Sequence, residues 1–164
     1  MNSEKVRHPI PPVYDKNSRI LILGSFPSVK SREAGFFYGH PRNRFWQVLA
    51  TVLEQPLPLT IEEKKAFLLR NHIAVWDVIK ECRIKGSADA SIEEAEINDL
   101  NRILDHADIR QIFVNGRTAE KYYLRYSERI YERKAICLPS TSPANAAWNL
   151  ERLADEWKCI REYL

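Results

Sequence analysis

The amino-acid sequence predicts an α/β fold of three layers, α/β/α, in which a central four-stranded parallel sheet lies between helices. Short apolar runs with the length of buried strands occur at about residues 19–23, 73–76, 111–114 and 134–138. Segments with helical spacing of apolar residues separate these runs, and regular alternation of strands and helices favours parallel strands. Because each run ends in a polar loop, we expect these loops to meet at one edge of the sheet.

The length and composition fit one globular domain. The chain has 164 residues, of which 45% are hydrophobic and 29% charged, enough for a core without disulfides or metals. Residues 1–18, with Pro9, Pro11 and Pro12, are predicted to form an extended lead-in along the surface, and residues 19–164 form the domain. The lead-in lacks the apolar core of a signal peptide, and no apolar run has the length of a membrane span, so we expect a cytoplasmic protein. We also expect a monomer.

Helices are predicted between the strands, over about residues 42–54, 60–70, 98–106, 118–127 and 145–162. The first is indicated by apolar residues at helical spacing after Phe45, and Thr60 with Glu63 forms a capping box for the second. Asn98 is interpreted as the N-cap of the third. Residues 80–96 show no period beyond a short helical turn and are interpreted as a second functional loop.

The first loop, residues 24–41, is the stretch that most strongly indicates function. It has roughly 18 residues without a helical period, whereas connections in compact domains usually have about 4–6. Loops of this length commonly bind ligands. Hydroxyl groups in the loop suit phosphates, and the consecutive aromatic residues Phe36, Phe37 and Tyr38 offer a face on which a nucleobase could stack.

Positive charge is concentrated in and directly after this loop. Four cations stand there against the single Glu33, an excess equal to the net charge of +3 for the whole chain. They are Lys30, Arg32, Arg42 and Arg44. This distribution is compatible with nucleic acid as the partner, although a solvated surface would show it too.

A metal or thiolate centre is not expected. The three cysteines, Cys82, Cys137 and Cys159, form no CxxC pair, and the four histidines are scattered along the chain. We interpret the cysteines as small apolar residues in a reducing compartment and predict no metal and no cofactor.

Paired motifs carry a resemblance to a known family. Residues 24–28 read GSFPS, residues 39–46 read GHPRNRFW and residues 138–145 read LPSTSPAN. Together they resemble the uracil-DNA glycosylase superfamily, most closely its hypoxanthine-DNA (deoxyinosine) glycosylase branch, and the likeness extends over about residues 10–160. The resemblance implies an enzyme that flips a deaminated base out of DNA and hydrolyses its N-glycosidic bond, without metal or cofactor. It places hypoxanthine first and uracil second as the excised base.

The resemblance also implies roles for residues of the first loop and the residues that follow it. Asn43 is the predicted catalytic residue, because an amide can hold water and place a dipole without titrating. Phe26 stands where another branch has a water-positioning Asn, and it is expected to line the base pocket. Tyr38 is the predicted stacking platform for the base, with Phe37 as the alternative. His40 is expected either to brace the loop through a hydrogen bond or to approach the leaving base.

The remaining candidates divide between the base and the DNA backbone. Asp77 and Asn115 end two predicted strands, where they could read the base edge or, equally, cap and brace loops. Ala144 takes the place at which relatives insert a bulky wedge into the base stack, so strong intercalation is not expected. The candidates for binding the DNA backbone are Ser25, Ser28, Lys30, Arg42, Ser140, Thr141, Ser142 and Asn145.

Other classes of protein stay open at this point. Residues 24–31 nearly spell a phosphate-binding P-loop, although Val29 replaces a required glycine. A hydrolase built on Ser25, His40 and Asp77 would lack the GxSxG elbow. A nucleic-acid-binding module without catalysis would need only the basic loop on the same fold.

Overall fold

The computed structural model describes residues 2–164 of the chain. Its strands are β1 (Glu4–Arg7), β2 (Ile20–Gly24), β3 (Ile73–Asp77), β4 (Ile79–Ile84), β5 (Glu93–Ile97), β6 (Gln111–Asn115) and β7 (Ala135–Leu138). Its helices are α1 (Val29–Ala34), α2 (Phe45–Leu53), α3 (Ile61–Arg70), α4 (Asn101–Leu104), α5 (Arg117–Tyr122), α6 (Glu128–Tyr131) and α7 (Leu150–Trp157). A π-helical turn joins α5 to α6, and 3₁₀ turns lie at Asp89–Ser91 and Lys158–Tyr163. No helix in this described range is both long and apolar enough to cross a bilayer.

The central sheet confirms the predicted four parallel strands, in the spatial order β3-β2-β6-β7. Every residue of β2 and β3 is buried, which explains why both strands have nearly continuous apolar sequences. Helices α2 and α7 pack on each other through Phe45 and Trp157, whose rings meet edge to face at 5.9 Å between centroids. The three-layer α/β/α architecture is therefore the predicted one.

A second sheet, absent from the prediction, has three antiparallel strands in the order β1-β4-β5. Residues 80–96 are mostly strand instead of an irregular loop. The buried residues of β4 are Ile79, Cys82 and Ile84, and their spacing is uneven because the β4–β5 register shifts twice. This irregularity hides the period of two that would otherwise indicate a strand.

The N-terminal segment also differs from the predicted lead-in along the surface. Strand β1 pairs with β4, and Val13 forms an isolated bridge with Val75 at the edge of the central sheet. Ile10 and Val13 are only 3% and 7% exposed, so this part of the segment belongs to the core. The first residue of the predicted lead-in, Met1, lies outside the described residues.

Some helices differ from their predicted extent. The first loop contains the short helix α1, whose N-cap is Ser28. Asn98 caps no helix, because its buried side chain donates to the carbonyls of Asp77 (2.9 Å) and Ile79 (3.2 Å), and α4 begins later than predicted. Helix α7 begins after its N-cap Asn149, several residues beyond the predicted start.

Candidate active site

One cavity of about 370 Å³ lies at the carboxyl ends of the four parallel strands. Its volume falls within the range typical of small-ligand pockets, about 300–1,000 Å³. The loops after the strands meet there, as expected from the predicted topology. The predicted site residues that line the cavity are Ser25, Phe26, Ser28, Phe37, Tyr38, His40, Asn43, Asp77, Asn115, Ser140, Thr141 and Ser142.

Asn43 is held at the cavity wall through its side-chain oxygen. The Oδ1 atom accepts hydrogen bonds from the backbone N–H of Phe45 (3.0 Å) and from the hydroxyl of Thr141 (2.8 Å). Since a backbone N–H can only donate, the atom that faces Phe45 must be the oxygen of the amide. The Nδ2 group makes no hydrogen bond to the residues that the structure describes, so it is available as a donor to a molecule in the cavity.

A short network of hydrogen bonds connects Asn43 to the end of β6. Thr141, which is 0% exposed, accepts at Oγ1 from Nδ2 of Asn115 (3.0 Å). The Oδ1 atom of Asn115 in turn accepts from the backbone N–H of Thr141 (3.1 Å). Both side chains are therefore engaged inside the protein, which supports the bracing alternative for Asn115.

Asp77 forms a buried part of the cavity wall, and its partner is His8, which the sequence did not reveal. The Nε2 atom of His8 lies 2.7 Å from Oδ2 of Asp77, and the two side chains are 2% and 5% exposed. The Nδ1 atom of His8 accepts from the backbone N–H of Ile10 (3.2 Å), so a neutral ring with its proton on Nε2 satisfies both contacts. The pair spans 69 positions of sequence, and no motif links them.

The hydroxyl of Tyr38 reaches the same buried region. Its ring stacks on Phe45 with 3.9 Å between centroids, and the hydroxyl is buried without a hydrogen-bond partner in the described part of the chain. A Cβ at Gly24 would lie 2.4 Å from Oδ1 of Asp77 and 3.1 Å from this hydroxyl, so glycine is needed for their close approach. Burial, followed by the charge of Asp77, raises the pKa of Tyr38 well above its ordinary value, while the neighbouring amide of Asn115 opposes the shift, and the hydroxyl stays neutral.

Two further predicted residues, Phe26 and Phe37, form an apolar wall of the cavity. They are 8% and 2% exposed, and thus belong to the core as well as to the site. The ring of Phe26 meets His8 edge-on at 5.9 Å, and that of Phe37 lies 6.0 Å from the same imidazole. These rings hold His8 in position beside Asp77. The stacking role of Tyr38, with Phe37 as the alternative, stays a prediction.

His40 lines the cavity and braces the first loop. Its Nδ1 atom accepts from the backbone N–H of Arg42 (3.1 Å), and its carbonyl accepts from the backbone N–H of Asn43 (3.0 Å). This geometry supports the first of the two expected roles. With Nδ1 as an acceptor, a neutral His40 carries its proton on Nε2.

The candidates for binding the DNA backbone do not all face the cavity. Those that line it are Ser25, Ser28, Ser140, Thr141 and Ser142. Lys30 is exposed on α1 and lies 3.7 Å from Glu33, and Arg42 is exposed on the loop before α2. Asn145 donates to the carbonyl of Ser140 (3.0 Å), so its side chain stabilises the loop after β7. DNA contacts of all these residues stay predictions.

Arg44, which was not among the predicted site residues, ties the loop after β7 to the start of α2. Its guanidinium donates to the carbonyls of Trp148, Ser142 (3.2 Å) and Asn145 (3.1 Å). Its backbone N–H donates to the carbonyl of Thr141 (3.1 Å). One of the four cations in and directly after the first loop is therefore directed into the protein, where its planar group can serve several acceptors.

The β4–β5 hairpin supplies another wall of the cavity through Ser87 and Asp89. The hydroxyl of Ser87 accepts from the backbone N–H of Val29 (2.8 Å), and Arg32 donates to the carbonyl of Gly86 (2.8 Å). These contacts fasten the tip of the hairpin to α1. From the sequence, residues 80–96 are interpreted as a functional loop, and two residues of that stretch do line the cavity, but neither Ser87 nor Asp89 is singled out there.

A cavity at the carboxyl edge of a parallel sheet, lined by aromatic rings together with amide, hydroxyl and carboxylate groups, defines an α/β protein that binds a small ligand, or part of one, with both apolar and polar parts. The profile of the family described as "Uracil DNA glycosylase superfamily" matches residues 11–163, and the chain belongs to this superfamily. This result confirms the resemblance that the motifs carry.

Individual relatives agree with the family. A protein named hypoxanthine DNA glycosylase from Methanosarcina acetivorans is 36% identical over 157 residues, which cover 94% of this chain and 98% of the relative. A protein of the same name from Methanosarcina barkeri is 35% identical over 137 residues, covering 82% and 85%. A solution NMR structure of a candidate uracil DNA glycosylase from Methanosarcina acetivorans has a TM-score of 0.78 and 34% identity, with 96% of each chain covered.

Proposed function

We propose that this protein is a DNA glycosylase that excises a deaminated base, hypoxanthine first and uracil second, and leaves an abasic site. Membership of the superfamily and the relatives named hypoxanthine DNA glycosylase support this proposal. The observation that carries it is the side chain of Asn43, whose oxygen is held by Phe45 and Thr141 while its nitrogen is free in the cavity.

Asn43 acts by holding the attacking water. Cleavage of the N-glycosidic bond develops positive charge on the sugar and negative charge on the departing base. Positioned dipoles can therefore stabilise the transition state. The Nδ2 group donates to the water oxygen and aims it at the sugar carbon C1′. Asn43 does not deprotonate the water, because the Oδ1 atom of Asn43 already accepts two hydrogen bonds.

Asp77 and Tyr38 are suited to read the edge of a deaminated base. Their Oδ1 and hydroxyl oxygen are at most 5.5 Å apart, the sum of their distances from a Cβ placed at Gly24. Hypoxanthine and uracil both carry a carbonyl beside a ring N–H, which matches an acceptor on Asp77 and a donor on Tyr38. Adenine and cytosine have an unprotonated ring nitrogen in place of this ring N–H. The lone pair of that nitrogen would face a lone pair of the Asp77 carboxylate, and the two acceptors would repel each other.

The rest of the site serves to capture the nucleotide. Unstacking a base costs a few kcal/mol, and stacking it on an aromatic ring returns about 1–3 kcal/mol. The ring is that of Tyr38, or that of Phe37 where the Tyr38 hydroxyl reads the base edge instead. Ser25, Ser140 and Ser142 line the cavity from two different loops, and we expect them to contact the flanking phosphates. Ala144 is exposed and small, so we expect little wedging of the base stack by this residue.

The P-loop alternative has little support from the geometry. In a P-loop, free backbone amides cradle the phosphates. Here the N–H of Val29 donates to Ser87 and the N–H of Ser31 donates to Ser28, so two of these amides are occupied. A DNA-binding module without catalysis stays the alternative that an assay must test.

The discriminating assay uses labelled duplexes that carry deoxyinosine, deoxyuridine or a normal base at one position. Each is incubated with the protein in a chelator and then treated with alkali, which breaks the strand at abasic sites. We expect breaks at deoxyinosine, fewer at deoxyuridine and none at the normal base. Tight binding without breaks would establish the binding module, and a product that requires ATP would establish the P-loop enzyme.

We further propose that the protein is a monomer, since one chain supplies the whole cavity, and that it works in the cytoplasm, as expected for a relative of DNA-repair glycosylases. Light scattering of the protein alone and with a deoxyinosine duplex would give the mass of each species. A stable dimer in the DNA complex would contradict this part of the proposal.

A further inference from the structure

The proposed hydrolysis needs a group that accepts the proton of the attacking water, and Asn43 does not supply one. Its only side-chain acceptor, Oδ1, is occupied by Phe45 and Thr141. Asp77 is buried against His8, at the depth where the base would enter. A second carboxylate, that of Asp89, lines the same cavity.

Asp89 stands nearer the opening of the cavity than Asp77 does. It begins the 3₁₀ turn Asp89–Ser91 and is exposed as a residue, whereas Asp77 is 4% exposed. Its Oδ1 accepts a hydrogen bond from the hydroxyl of Ser25 (3.3 Å), which turns the carboxylate toward the first loop. A nucleotide that enters the cavity base first brings its sugar to this outer level.

The charge of Asp89 is not compensated by a neighbouring cation. No lysine, arginine or histidine within residues 2–164 forms an ion pair with it. Although Asp89 is exposed as a residue, desolvation of its carboxyl group raises the pKa above the ordinary value. The hydrogen bond from Ser25 opposes this rise, the charge of Asp77 adds to it, and the side chain of Thr118 opposes it. An unpaired anion at the opening of a cleft for polyanionic DNA weakens binding, so its presence there indicates a part in the reaction.

We propose that Asp89 is a catalytic residue that accepts the proton of the water held by Asn43. This inference rests on the proposed function. The water oxygen forms a bond to C1′ while the C1′–N bond breaks, and the electron pair of that bond leaves with the base. The water proton goes to the Asp89 carboxylate, which later releases it to solvent, and the departing base takes a proton from solvent. Before the transfer, the negative charge of Asp89 stabilises the developing positive charge of the sugar.

Asp89→Asn tests the proposal with little disturbance of the fold, because the amide keeps an oxygen for Ser25. The matched control is Glu93→Gln, which removes one exposed negative charge from strand β5 of the same hairpin. Single-turnover excision is measured on a deoxyinosine duplex. The dissociation constant is measured on a duplex with 2′-fluoro-deoxyinosine, which resists hydrolysis.

We expect Asp89→Asn to lower the single-turnover rate about 100-fold or more, the usual contribution of general base catalysis, with unchanged or tighter binding. Asp89→Glu should recover part of the rate, and Glu93→Gln should stay within about twofold of the unmodified protein. A near-normal rate for Asp89→Asn would overturn the proposal, as would parallel losses of rate and affinity, which indicate a structural duty. Failure of the unmodified protein to excise any base would instead overturn the proposed function.

Discussion

Replacement of Asn43 by aspartate or by alanine distinguishes the role of its amide oxygen from the role of its amide nitrogen. Aspartate keeps an acceptor for the N–H of Phe45 and the hydroxyl of Thr141, but it replaces the Nδ2 donor by a second oxygen. Alanine removes both the Oδ1 acceptor and the Nδ2 donor. A comparison of the two variants therefore distinguishes the support that Asn43 gives to the fold from its action on the substrate.

The magnitudes follow from these contacts. Loss of the acceptor for a helix N-terminal N–H costs about 0.5–2 kcal/mol, and a buried hydroxyl left without its acceptor costs about 1–3 kcal/mol. Asn43→Ala should thus lower the free energy of unfolding by about 1.5–5 kcal/mol and Tm by roughly 3–20 °C. Asn43→Asp should leave Tm unchanged or raise it slightly, since a negative charge near the start of α2 is favourable by about 0.3–1 kcal/mol.

Excision should be lost in both variants. Removal of one positioned donor typically lowers the rate about 100- to 1,000-fold, and we expect that loss for Asn43→Asp and at least as much for Asn43→Ala. The assay is single-turnover cleavage of a deoxyinosine duplex, with DNA affinity measured by fluorescence anisotropy in the same buffer. Affinity should stay nearly intact for Asn43→Ala. An aspartate variant that cleaves at the normal rate would refute the role given to Nδ2, and equal losses of rate and affinity in the alanine variant would make Asn43 structural.

Other contacts give predictions of their own. His8→Leu leaves the buried carboxylate of Asp77 without its neutral imidazole donor, so chemical denaturation should show a loss of about 1.5–3 kcal/mol, the range for a hydrogen bond to a charged group. An unchanged stability would count against this contact. Gly24→Ala places a Cβ 2.4 Å from Oδ1 of Asp77, so excision should fall at least about tenfold with DNA affinity less affected, as followed by single-turnover cleavage and anisotropy. Arg44→Lys supplies one compact ammonium for three carbonyl oxygens, so the loop after β7 should be held less firmly. Anisotropy titrations should then show weaker DNA binding. Unaltered binding would indicate that Arg44 does not position this loop.

The central sheet could be predicted from the sequence because its signals are local. Strand β2 is buried on both faces, so its apolar residues are contiguous, and the same holds for β3. The order of strands and helices then implies a parallel sheet with its loops at one edge. The motifs around Asn43 and Thr141 stand on two of those loops, which is why their meeting could be foreseen.

The second sheet and several site residues could not be foreseen because they depend on tertiary contacts. Strand β4 carries register shifts that disturb its alternation, and β1 is recognisable as a strand only through its pairing with β4. Asn98 has the residue type of a helix cap, but burial beside the end of β3 directs its amide to carbonyl groups there. His8 and Arg44 act through partners 69 and about 100 positions away, and a single sequence holds no signal of such pairs.

The involvement of the N-terminal strand changes how shortened forms of this protein would behave. A chain that started at residue 14 would retain GSFPS, HPRN and STSPAN, and a motif search would still assign it to the same superfamily. It would nevertheless lack the imidazole beside Asp77 and the outer strand that pairs with β4. Expression designs and choices of translation start that treat the first dozen residues as dispensable would therefore alter the wall of the cavity at Asp77.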